Sequence, residues 1–171
     1  MQIKSVNRIA IIGILTALNV ASRVYLTFLP NIQPATSIII LSVITFGFMF
    51  AIMLVISTVL VSGLVFGLGI TAVMQILAWS AIVMFSVVIS RHFSRYRLPT
   101  LTVWAFLCGY IYGFIVSLDK LLISPTFFIV YYANGLVFDT LHAIGNLIFF
   151  PLCYTVLLPI FRRYTGRKDI K

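Results

Sequence analysis

The chain has 171 residues, of which 62% are hydrophobic and only 9% charged, with a mean hydropathy of +1.16. Soluble domains carry about 25% charged residues to clothe a water-facing surface; twelve Lys or Arg, three Asp and no Glu cannot do so, which excludes a soluble globular protein. A transmembrane β-barrel is excluded as well, because its strands alternate apolar and polar at period two, whereas Ala35 to Phe66 is apolar on every side.

The net charge of +9 is placed in three clusters. Lys4 and Arg8 precede the first apolar run, Arg91, Arg95 and Arg97 sit in one short polar break, and Arg162, Arg163, Arg167, Lys168 and Lys171 follow the last run. Basic residues gathered at span ends are the positive-inside pattern, strengthened by attraction to anionic lipid head groups. No basic face is interleaved with exposed aromatics, so nucleic acid is not an expected partner. If all three clusters are cytoplasmic, the crossings between Arg8 and Arg91 must be even in number, and that length divides into four spans of about 20 residues. The same parity demands two more after Pro99. The predicted protein is therefore an all-α membrane protein, a single bundle of six transmembrane helices over residues 1–171 with short loops, lying in the cell membrane with both termini cytoplasmic. Its spans are Arg8 to Leu29, Ala35 to Phe48, Met49 to Phe66, Thr71 to Ser90, Thr100 to Leu118 and Tyr131 to Phe161.

In the first span, Ile9 to Val20 followed by Val20-Ala21-Ser22 imitates a cleaved signal peptide. Five further spans follow, so it is read as an uncleaved helix. Gly13, Ala17 and Ala21 recur at four-residue spacing, a stripe that lets another helix approach closely. Its partner is either an internal helix or a second subunit. The first outer loop reads Pro30-Asn31-Ile32-Gln33-Pro34-Ala35-Thr36, and its two prolines present Asn31 and Gln33 from a stiff segment. Those amides either meet a ligand or simply meet water, with Thr36 capping the next helix. Spans two and three are separated only by Gly47.

The fourth span offers Gln75 and Trp79 at i and i+4, suited to bond and stack on a flat ligand or, equally, to anchor the helix at the membrane interface. Tyr110, Tyr112, Tyr131 and Tyr132 read as belt residues by the same logic. Cys108 and Cys153 fall within apolar spans, as small hydrophobes. The sixth span carries Asn134, Asp139, His142 and Asn146; the last three, spaced i, i+3, i+7, share one face that should look inward because ionisable groups are costly in lipid. That face is either a polar clasp, for instance Asp139 with Arg23, or a substrate cavity, with a metal or catalytic role as a third reading. Pro151 and Pro159 are expected to kink this span, or its start lies outside the membrane. Any outer site is expected to be built by short loops, Val24 to Pro34, Gly67 to Ile70 and Asp119 to Val130, over helix ends.

No G-x-x-x-x-G-K-[ST] occurs, so the chain has no P-loop for ATP. One Asp–His pair without Glu is too thin for an intramembrane metalloprotease. No inverted repeat with matched broken helices suggests a self-sufficient transporter. The expectation is a non-enzymatic bundle with an outward site and no engine of its own.

Six short spans, a basic N-terminus, Ala17-Leu18-Asn19-Val20-Ala21 in the first helix and the Pro30-Asn31-x-x-Pro34-x-Thr36 loop resemble the substrate-binding S components of energy-coupling factor (ECF) vitamin transporters. The resemblance implies that Ala17 and Ala21, with Gly13 extending the stripe, dock a transmembrane T component coupled to two cytoplasmic ATPases, and that the chain needs no intrinsic cofactor. The Pro-Asn loop, with Gly67-x-Gly69 and then Met74-Gln75-x-x-Ala78-Trp79, is most similar to the branch assigned to cobalamin (vitamin B12). Pantothenate or another cofactor precursor stays open as the ligand. Asn31, Gln33, Gln75, Trp79, Asn134, Asp139 and His142 are the expected substrate contacts. Outside the resemblance, a stand-alone small exporter or channel, a scaffold, and an intramembrane enzyme remain as competing classes.

Overall fold

Residues 5–92 and 97–165 are described by a computed structural model. Lys4, Arg95, Arg167, Lys168 and Lys171 of the expected basic clusters lie outside the described residues, as does the side chain of Arg97. Every regular element in the described part is helical: α1 (Ser5–Tyr25), α2 (Ala35–Phe46), α3 (Phe48–Phe66), α4 (Ile70–His92), α5 (Arg97–Ser117), a 3-10 turn (Leu118–Leu122) and α6 (Pro125–Thr165). Five of them, all but α2, are long and apolar enough to cross a membrane. The protein is an all-α multi-pass membrane bundle.

Helix ends follow local chemistry. Gly47 and Gly67 both have φ of +92°, a region costly for a residue with a Cβ, and each closes the preceding helix by donating its N–H to Val43 O and Gly63 O. The boundary between the second and third helices is therefore Gly47 itself, one residue before the expected Phe48/Met49 division. Ser124 caps α6 by accepting the Phe127 N–H at 3.0 Å, and Pro125, lacking a donor, takes the first helical position.

The second helix departs from a full span. Its 12 residues rise about 18 Å, against about 30 Å of hydrocarbon. From Ala35 to Thr45 every residue is buried. A helix apolar on all sides has no face to offer water, and here the other helices enclose it as the core of the bundle.

The helices alternate in direction. Thr16–Ser57, Asn19–Thr58 and Arg23–Ser62 bonds climb together along α1 and α3, which run parallel. Trp104 donates to Ser86 across antiparallel α4 and α5. Along α5 and α6, Ala105 meets Asn146 and Gly109 meets Ala143, again antiparallel. Phe46 and Phe161, 4.9 Å between ring centres, join the end of α2 to the end of α6. One end of the bundle thus gathers Arg8, Arg91, His92, Arg162 and Arg163. The opposite end holds the 26–34 segment, the Gly67–Gly69 turn and the 3-10 turn.

The expected start of the sixth span and the loop before it are corrected. The span begins at Pro125 rather than Tyr131 and runs unbroken through Pro151 and Pro159 for 41 residues, about 60 Å and so about twice the hydrocarbon thickness. The expected Asp119 to Val130 loop shrinks accordingly to Ile123 and Ser124 between two helical elements. The close α5–α6 seam depends on glycine: a Cβ on Gly109 would lie 2.5 Å from the Ala143 nitrogen, and one on Gly113 would fall on the Asp139 carboxylate. Cys108 and Cys153 are free and buried.

Candidate functional site

The segment between α1 and α2 descends into the bundle. Successive turns, with Leu29 N–H on Leu26 O and Ile32 N–H on Leu29 O, coil it down, and Asn31 then takes φ of +58°, a left-handed conformation that Asn tolerates better than most residues. Asn31 Nδ2 donates to Phe138 O at 3.0 Å, strapping the segment to α6. Deeper still, Ile32 rests on Gly145, where an added Cβ would come within 3.3 Å of its Cα. Gly145 is near the middle of α6. The expected loop over helix ends is instead a re-entrant plug, seated because Gly145 leaves a groove.

Three cavities open at the end opposite the basic cluster, two of them against this plug. The first, about 380 Å³, lies between Arg23, the plug residues Pro30 to Gln33, Phe66 and Phe138. The second, about 510 Å³, is lined by Tyr112, Ser117, Tyr131, Asn134, Phe138 and Asp139 among others. The third, about 180 Å³, is lined by Arg23, Ser62, Thr71 and Gln75. Asn31 and Phe138 belong to both the first and the second, so the Asn31–Phe138 strap is their common wall. Arg23 and Phe66 are shared by the first and third.

Five of the residues expected to contact substrate therefore line these cavities. Asn31 faces two of them, Gln33 the first, Gln75 the third, and Asn134 and Asp139 the second. Trp79 and His142 line none of the three and are fully buried beneath them. Trp79 Nε1 donates to Thr36 Oγ1 at 2.9 Å, and the same oxygen lies 2.9 Å from His142 Nε2. Tyr112 packs against both rings, at 5.0 and 5.1 Å between centres. Trp79 is thus no interface anchor, and Thr36 is no helix cap: both belong to a polar layer joining α2, α4 and α6. Asn146 extends it, donating to Ala105 O at 2.9 Å. The 139, 142 and 146 face of α6 does look inward, at 5%, 0% and 0% exposure.

The clasp between Asp139 and Arg23 is not formed. Arg23 donates to Ser62 Oγ at 2.7 Å and to Gln75 Oε1 at 3.4 Å. Its guanidinium also lies 5.5 Å from the Phe66 ring centre and 5.4 Å from that of Trp79. Gln75 and Trp79 do act together, as the i, i+4 spacing suggested, but around a guanidinium. Asp139 accepts no hydrogen bond from a described residue, and its Oδ2 is buried without a partner. The ion pair recorded among the described residues joins Lys120 to Asp119 at 2.6 Å. No group of three His, Cys, Asp or Glu sits together among them.

The reading of the sequence missed Tyr112, Gly113 and Ser117, which wall the second cavity, and Ser62, which holds Arg23. Gly109-x-x-x-Gly113 was a usable signal for the α5–α6 seam; nothing in the sequence marked the other three. Gly13, Ala17 and Ala21 are all exposed, on the side of α1 turned away from buried Ile11, Ile12, Leu15 and Asn19. The stripe is therefore not an internal packing face. Comparison with protein-family models, with curated proteins and with solved structures finds no match to this chain.

Proposed function

We propose that the chain is the membrane-embedded substrate-binding subunit, the S component, of an ECF-type importer, catching a vitamin outside the cell membrane and delivering it inward with a T component and two ATPase subunits. The observation that carries this reading is a set of cavities, lined by amides and one carboxylate, at the end of the bundle opposite the basic residues. The Asn31–Phe138 strap stands between the first two cavities, and the bonded Trp79–Thr36–His142 layer is fully buried in the bundle, which fits a site that captures rather than a channel. By the positive-inside rule the basic end and both termini are cytoplasmic and the cavities face out. The chain hydrolyses no ATP itself; the partners do. The exposed Gly13, Ala17 and Ala21 stripe gives the T component a surface on which close packing in lipid is possible.

Cobalamin is the ligand that the family resemblance favours, its amide-rich rim matching Asn31, Gln33, Gln75 and Asn134. A smaller vitamin, such as pantothenate, is the second reading, and cavity size favours it: about 380 and 510 Å³ are each ordinary for a small ligand. Cobalamin would need the Asn31–Phe138 strap to open and the two to merge.

Co-expression with the T component and ATPases tests the assignment. Ala17→Trp and Ala21→Trp should abolish co-purification and uptake while leaving binding by the isolated chain intact. Normal uptake by both variants would contradict it.

A further inference from the structure

We infer that the ligand of the larger cavity carries a positively charged nitrogen, held by the carboxylate of Asp139 against aromatic rings. The inference rests on the binding-subunit reading and replaces its cobalamin and pantothenate ligands with a cationic substrate class.

Two ionic side chains, half-buried Arg23 and buried Asp139, face the cavities, and the fold treats them differently. A charge removed from water must find compensation. Arg23 has it: two side-chain oxygens, from Ser62 and Gln75, and two ring faces, from Phe66 and Trp79. Asp139 has none. It is 5% exposed, receives no hydrogen bond from a described residue, and lines a cavity of about 510 Å³. Among the described residues Lys120 is paired with Asp119, and no ion pair joins a cation to Asp139.

The place is also kept for it. Only a residue without a side chain at 113 leaves room for the Asp139 carboxylate against α5. Around the cavity stand Tyr112, Phe127 and Phe138, aromatic rings of the kind that attract a cation, while the Tyr131 ring already carries Lys120 and Asn31 and Asn134 supply amides for remaining polar atoms. A carboxylate without a partner inside an aromatic wall is the complement of a flat or compact organic cation. An uncharged, protonated Asp139 donating to a carbonyl-rich ligand would make the opposite demand, and Asp139→Asn separates the two because an amide mimics the protonated acid and not the carboxylate.

Purified full-length chain, wild type and Asp139→Asn, is titrated calorimetrically with thiamine and pyridoxamine as cations, riboflavin as an uncharged probe, pantothenate as an anion, and cyanocobalamin. The inference expects a cation to bind at least tenfold more tightly than riboflavin and pantothenate, and Asp139→Asn to weaken that binding at least tenfold while the melting temperature holds or rises. If Asp139→Asn fails to fold, the order of affinities in the wild type decides alone. Preference for riboflavin, pantothenate or cyanocobalamin, or cation binding that Asp139→Asn leaves unchanged, overturns the inference and leaves the binding-subunit reading standing. Silence with every probe overturns both.

Discussion

Thr36 carries more of the interior than its small side chain suggests. It takes the Trp79 indole N–H and meets His142, so one hydroxyl ties three helices. A buried polar atom left without its partner costs about 1–3 kcal/mol. Thr36→Val strands groups on two side chains, and Trp79→Phe on one. Thermal melts in detergent should rank Thr36→Val as the more destabilising, with Trp79→Phe costing about 1–3 kcal/mol and leaving ligand affinity near wild type, since Trp79 lines none of the cavities. Arg23 and Asp139 share no hydrogen-bond partner, and sites that are not linked by one network combine additively within about 0.5 kcal/mol. A double-mutant cycle between Arg23→Ala and Asp139→Ala should thus show almost no coupling, where a clasp would show a large one. At this scale the sequence told which way α6 faces, because the 139, 142 and 146 spacing marks a single helix face. It could not tell what stands opposite, because Thr36, Ala105 and Gly113 come from other helices at separations that no local pattern encodes.

Among the elements, spans were legible as apolar runs about 20 residues long, and Gly47 was legible as the break between the second and third helices. The shortness of α2 was not. With no charge between Arg23 and Arg91, hydropathy alone cannot separate a helix that crosses lipid from one wrapped by its neighbours. The plug was hidden for a related reason: its seat is the missing side chain of Gly145, more than a hundred residues away. The α5–α6 seam gives the sharpest test here. Gly109→Val places carbon against the Ala143 backbone, which cannot yield as the tip of a flexible side chain can, and overpacking of this kind costs about 1–3 kcal/mol or more. Gly13→Val meets nothing within 4 Å. Yield of monodisperse protein by size exclusion should fall sharply for Gly109→Val and hold for Gly13→Val, whereas equal losses would mean that α1 packs inward.

For the whole molecule, the charge asymmetry sets the proposed orientation. Arg8, Arg91, His92, Arg162 and Arg163 lie at one end, while the plug and cavities lie at the other. With His92→Cys and Thr126→Cys, both at exposed positions near opposite ends, an impermeant thiol reagent on intact cells should label position 126 and spare position 92. Reversed labelling would turn the cavities inward and remove their role in capture. Fold class followed from composition; the two larger cavities did not, since they arise where a re-entrant segment meets its neighbouring helices. As an S component, this chain alone should bind a vitamin at that end, without ATPase partners. Equilibrium titration of the purified, folded chain with a panel of vitamins, cobalamin and the small cations included, tests it most directly. Saturable binding of one vitamin, weakened by substitution at Asn31, is the predicted result; absence of binding to every member of the panel, by protein that remains monodisperse and folded, would contradict it.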